Sequence, residues 1–166
     1  IGERALLDDF KKAEVATSEA REVKDTEAKL DTLRRQDYIR RKLLGIILWQ
    51  RGLKESGMDL SYILKEFLQI TGKKEEELLQ ETDTSADDLI FEAEIFYHDP
   101  ELLQKYAQEM LLNLREEILK EELAVKMREL FHAEESKDQA KAAEIFKECQ
   151  ALNKKLEDIK SKKFQP

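Results

Sequence analysis

Glycine disappears from this chain after Gly72. Residues 73–166 contain none, and only Pro100 and Pro166 interrupt that stretch. A β-sandwich or barrel needs turn residues roughly every 8–12 positions, which a chain of 166 residues with 5 Gly and 2 Pro cannot supply. Glu, Lys, Leu and Ala fill the tract instead, side chains that lose little freedom in a helix. The pattern predicts an all-α fold.

At this length the chain is one ordinary domain or two small ones. Its longest apolar runs, such as Leu43 to Trp49, fall far short of the roughly 20 residues needed to span a bilayer. No charged-then-apolar leader is visible at the start. The single cysteine, Cys149, excludes an internal disulfide framework and points to a reducing cytoplasm. The opening Ile1-Gly2, without Met, is what a piece of a longer polypeptide would show.

The net charge of −8 disfavours nonspecific binding to phosphate backbones, so no strong nucleic-acid partner is expected. The excess is local. Between residues 73 and 105 only Lys73, Lys74 and Lys105 are basic among many Glu and Asp, whereas the flanking stretches are close to neutral. Two readings fit this acidic middle: helix N-termini, where carboxylates suit the macrodipole, or an acidic docking surface. Two basic clusters lie elsewhere, Arg34, Arg35, Arg40, Arg41 and Lys42, and then Lys154, Lys155, Lys160, Lys162 and Lys163. Apart from Tyr38 they lack aromatics at stacking spacing. They read as solvated helix faces, with a weak DNA contact as the alternative.

Three regions follow from the hydropathy pattern. Residues 1–30 form a polar connector, with a short helix possible over 1–10 and few large apolar side chains beyond it. Residues 31–105 form a helical bundle. Its first helix becomes apolar on every side by Trp49 and stops near Gly52, as a core helix does. A second helix follows an Asp59 cap, repeats apolar residues every three or four positions from Leu60 to Ile70, and ends at Gly72. A short acidic helix covers 73–80, and Ser85 caps the next. Leu44, Ile47, Leu48, Leu64, Phe67, Leu68, Ile90 and Phe96 are expected to form the bundle core.

Residues 106–166 complete a long helix and a C-terminal antiparallel hairpin. Asp99-Pro100-Glu101 is a strong helix start, with a capping carboxylate and Pro at the first helical position. The pattern then runs to about Ala133, about 50 Å at the α-helical rise. Ser136 and Gln139 match a capping box for a last helix over about 137–162. Ile145, Cys149, Leu152, Leu156 and Ile159 step by four and three residues, a heptad seam whose natural partner is the helix just before it. The long helix carries one stripe at Ala107, Leu111, Leu114 and Ile118, and a second at Leu112, Leu119, Leu123, Met127 and Leu130. Two stripes call for two partners, the bundle and the last helix.

No chemistry converges. His98 and His132 are far apart in sequence, and neither Cys-x-x-Cys nor His-x-x-x-His occurs, so no metal is expected. No pair of Glu-x-x-His motifs suggests a di-iron bundle, and Gly45, Gly52 and Gly57 make no phosphate loop. His132 reads as a solvated cation at a helix end and Cys149 as a small core residue. The chain is expected to have no catalytic residue and no cofactor, and to work by binding.

The order of elements is similar to a known family. An apolar core helix (YIRRKLLGIILW, with Arg40 to Leu48 at its centre) is followed by an acidic helix and an Asp-Pro-initiated long helix. EIFKECQALNKKLEDIKSKK, from Glu144 to Lys163, then closes the chain with the Leu-Asn-x-x-Leu motif of Leu152, Asn153 and Leu156. Over residues 31–166 this resembles the C-terminal helicase-binding domain of bacterial DNA primase, the DnaG type. The resemblance implies a bundle subdomain joined by a long helix to a terminal hairpin, which docks on the N-terminal domains of the replicative hexameric helicase. It implies a non-catalytic adaptor in the cytoplasm, without a small-molecule substrate or a membrane contact. Asn153, Lys154 and Lys155 are then expected at the partner contact. Phe131 and Phe146 either offer apolar tips for docking or seal the hairpin turn. The alternatives are the N-terminal domain of a replicative helicase and a helical scaffolding protein.

Overall fold

The computed structural model describes residues 34–164, and the connector expected over 1–30 lies outside them. The described residues are all-α. The helices are α1 (34–51), α2 (Leu60–Thr71), α3 (Glu75–Glu81), α4 (Ala86–Phe96), α5 (Pro100–Glu135) and α6 (Gln139–Lys163). From Arg35 onward the described residues form one compact unit.

Side chains placed by the sequence set most of the boundaries. Asp59 accepts from the Tyr62 amide, Ser85 from Asp88 and Asp99 from Glu101, each satisfying a donor that the first turn leaves open. Pro100 stands where a helix lacks a partner for its amide anyway. Gly72 ends α2 in the left-handed region, φ 65°, and its amide donates to the Leu68 carbonyl. Between α1 and α2, the buried Gln50 accepts from the Gly57 amide at 2.8 Å and closes the loop.

One core binds α1 to α5. Leu43, Leu44, Ile46 and Ile47 of α1 are almost wholly buried, together with Ile63 and Phe67 of α2, Leu78 of α3 and Leu89 and Ala93 of α4. Leu103, Ala107, Leu111 and Leu114 of α5 complete it. A second, narrower core lies between α5 and α6, where Leu119 meets Leu152, Leu156 and Ile159, and Ala133 meets Ile145 and Cys149. The early part of α6 thus faces the late part of α5, so the two helices run antiparallel. All five residues of the expected seam are buried.

Several expectations change. Leu44, Ile47 and Phe67 are core residues, while Leu48, Leu64 and Leu68 are partly buried against that core and Ile90 is half-buried. Phe96 is not a core residue: it is 64% exposed. The reason is its place at the last position of α4, beyond the contact where Leu89 and Ala93 pack on Gly45 of α1. Met127 is also exposed rather than on the seam, because the drift of a 3.6-residue helix carries it past the contact line. Ser136 does not cap α6. It ends α5, with its hydroxyl donating to the His132 carbonyl at 2.8 Å, and Asp138 caps α6 through the Lys141 amide. Between them Lys137 takes φ 57°. Its amide donates to Glu134 and that of Asp138 to Ala133, the paired bonds of a Schellman turn.

Candidate partner-binding surface

The α5–α6 hairpin is held in one register by polar pairs beside its seam. Lys126 Nζ lies 2.8 Å from Glu148 Oε2 and 3.1 Å from Glu129 Oε2. These carboxylates keep the Lys126 ammonium charged well above the ordinary lysine range. Near the base, Lys163 pairs with Glu116, which Lys120 also approaches at 3.1 Å. Burial pushes the Glu116 carboxyl up, but hydrogen bonds from Lys163 and Lys120 outweigh it and leave it below its usual range.

A polar joint lies where α5 passes from the bundle to the hairpin. Gln36 of α1 is 1% exposed. Its Nε2 donates to Glu121 Oε2 at 2.9 Å and to the Glu117 carbonyl at 3.3 Å, and its Oε1 accepts from Arg40 at 3.0 Å. Sequence analysis missed this joint. A lone Gln beside basic residues looks solvated, and its partners on α5 are more than eighty positions away.

Beyond this joint the apolar residues of α5 that become buried are covered by α6 among the described residues. Each helix therefore spends one stripe on the seam and presents the rest outward. A groove of about 750 Å³ occupies one side, between the hairpin and the ends of α1 and α2. Val125 and Glu121 of α5 and Glu148 and Lys155 of α6 belong to its lining. Helical periodicity then assigns Met127 and Phe131 of α5, and Phe146 and Asn153 of α6, to the opposite side. The register set by Glu116–Lys163 and Lys126–Glu148 brings Phe131 and Phe146 to nearly the same level.

The five residues expected at the partner contact are all exposed, but they do not share one face. Phe131 is 57% and Phe146 52% exposed, so neither seals the turn completely. With Met127 and Asn153 they make a mixed apolar and amide surface. Lys154 points directly away from the seam, and Lys155 lines the groove on the other side. The contribution of Met127 was hidden because a 3–4 pattern alone also suits the seam.

The hairpin face offers aromatic rings, a thioether and an amide, the chemistry of a protein contact. Elsewhere, His98 Nδ1 donates to the Ile95 carbonyl at 3.3 Å, and His132 lies 3.9 Å from Glu135 on the surface. Among the described residues no group of three or more His, Cys, Asp or Glu is placed to hold a metal ion, and no helix is long and apolar enough to cross a membrane. Set against protein-family models, curated proteins and solved structures, the chain matches none of them.

Proposed function

We propose that this chain is the helicase-docking domain of a bacterial DNA primase of the DnaG type. It is a non-catalytic adaptor that places the primase on the N-terminal domains of the replicative hexameric helicase in the cytoplasm. The observation that carries this reading is the far half of the hairpin. There α5 and α6 cover only each other among the described residues, and Phe131 and Phe146 stand out together on one side. A two-helix extension has little core of its own, and two half-exposed aromatics on it suit a helical partner. Asn153 adds hydrogen-bonding capacity beside them. Lys154 and Lys155, on other faces, steer approach by charge.

The test is capture of the replicative helicase by this chain, compared with the same chain carrying Phe131→Ala and Phe146→Ala. Binding by the first and loss by the second support the reading. Stable helical oligomers of the chain alone, with no helicase affinity, would favour a scaffolding protein. Assembly into rings with an attached ATPase segment would favour the helicase N-terminal domain.

A further inference from the structure

α4 is apolar on two sides. Its inner face is buried on α1, where a Cβ at Gly45 would lie 3.5 Å from that of Ala93. Its outer face carries Phe91 and Ile95, one turn apart and both more than half exposed. At the end of α4, Phe96 turns from this face towards α1 and Tyr38. Lys42 Nζ stands 4.1 Å from the Phe96 ring centre and 5.4 Å from that of Tyr38, joining two exposed rings. A single exposed apolar residue needs no explanation, but Phe91 and Ile95 stack on one face that none of the described residues buries.

The surrounding charge selects what can cover it. Asp87, Asp88 and Glu94 lie three or four residues from Phe91 and rim its side of the helix. α4 contains no Lys or Arg. Among the described residues those three carboxylates enter no salt bridge, whereas Glu92 is engaged by Arg41. Both nearby cations are occupied, Arg41 with Glu92 and Lys42 over the rings. A second copy of α4 would bring like charges face to face, and an anionic lipid surface would be repelled.

We propose that the outer face of α4 is a docking site for a basic amphipathic helix of a partner protein. The apolar stripe of that helix lies on Phe91 and Ile95, and its Lys and Arg side chains meet Asp87, Asp88 and Glu94. The site is separate from the Phe131–Phe146 face and stands whether or not the hairpin binds a helicase.

The experiment uses the whole chain and two synthetic peptides of about 18 residues, five helical turns. One has a Leu stripe with Lys on its other faces, and the control replaces each Lys with Glu. Binding is followed by fluorescence anisotropy and mapped by backbone amide chemical shifts. The Lys peptide should bind, the Glu peptide should not, and the shifts should centre on 87–96. Phe91→Ser with Ile95→Ser should weaken binding about tenfold or more at any salt concentration. Asp87→Asn with Glu94→Gln should weaken it mainly at low salt. Because all four side chains are exposed, these variants should keep the parent's circular dichroism and melting temperature. If only the double Ser variant unfolds, the salt-dependent loss in the charge variant decides the matter. Equal binding of both peptides, shifts centred on the hairpin, binding untouched by both pairs of substitutions, or self-association through α4 would each overturn the proposal.

Discussion

Gly45 and Leu89 meet where α1 crosses α4, so closely that a Cβ on Gly45 would lie 2.7 Å from the Leu89 carbonyl oxygen. The obstacle is backbone, which cannot swing aside as a side chain can. Gly45→Ala should therefore push α4 off α1 and cost about 1–3 kcal/mol. Urea unfolding measures it, and a stability gain, as expected from helix propensity alone, would show that α4 can shift freely.

Gln36 is the second fixed point. Replacing it by Leu removes the partner of Arg40 and Glu121 inside the joint between bundle and hairpin. The expected loss is about 1–3 kcal/mol, the range for leaving buried polar groups unpaired. The same unfolding measurement reads it, and a neutral result would mean that water replaces the amide at no cost.

Glu116 sets a dependence on acid. Its folded carboxyl titrates below the ordinary value of 4.5 because Lys163 and Lys120 outweigh its burial. A depressed value contributes stability that is present above the unfolded value and lost as pH falls through the folded one. The α5–α6 pairing should thus weaken below about pH 4.5, and Glu116→Gln should flatten that part of the stability curve while lowering stability at neutral pH. Thermal melts across the acid range check both. An unchanged acid limb would assign the loss to other carboxylates.

Lys137 holds φ 57° in the turn between α5 and α6. A side chain there carries a steric cost that glycine avoids, partly offset by the greater freedom of glycine in the unfolded chain. Lys137→Gly should stabilise the hairpin by about 0.5–1 kcal/mol, visible as a higher melting temperature.

The hairpin faces separate by salt. Under the proposed docking, Phe131→Ala with Phe146→Ala should reduce helicase affinity about tenfold or more at any ionic strength, since aromatic anchors buried by a partner dominate affinity. Lys154→Glu and Lys155→Glu should act mainly at low salt, through the association rate. Equilibrium binding at two salt concentrations distinguishes them. Should Lys155→Glu match the aromatic pair at high salt, the groove side would be the interface.

Helix starts and stops were legible wherever one local group sets them. Asp59, Ser85 and Asp99 cap the helices they were expected to cap, and Gly72 ends α2. The seam of α6 was legible for the same reason, because five apolar residues at heptad spacing have one face to bury. The turn after α5 was half legible: a polar break was visible, but Ser136 reads in the sequence as the cap that Asp138 supplies. Only the backbone bonds of the finished turn assign one to each helix.

Composition and local pattern by themselves determined that this chain is helical, where most of its helices begin, and which residues join α5 to α6. These follow from interactions within a few residues along the chain, where spacing and geometry are linked. Tertiary structure alone decided that Phe96 faces water, that Met127 leaves the seam for the Phe131 side, and that Gly45 is a contact rather than a breaker. It also buried Gln36 against Glu121. Each of these depends on how one helix is placed against another, and that placement is settled by side-chain volumes from distant parts of the sequence meeting at close-packed density.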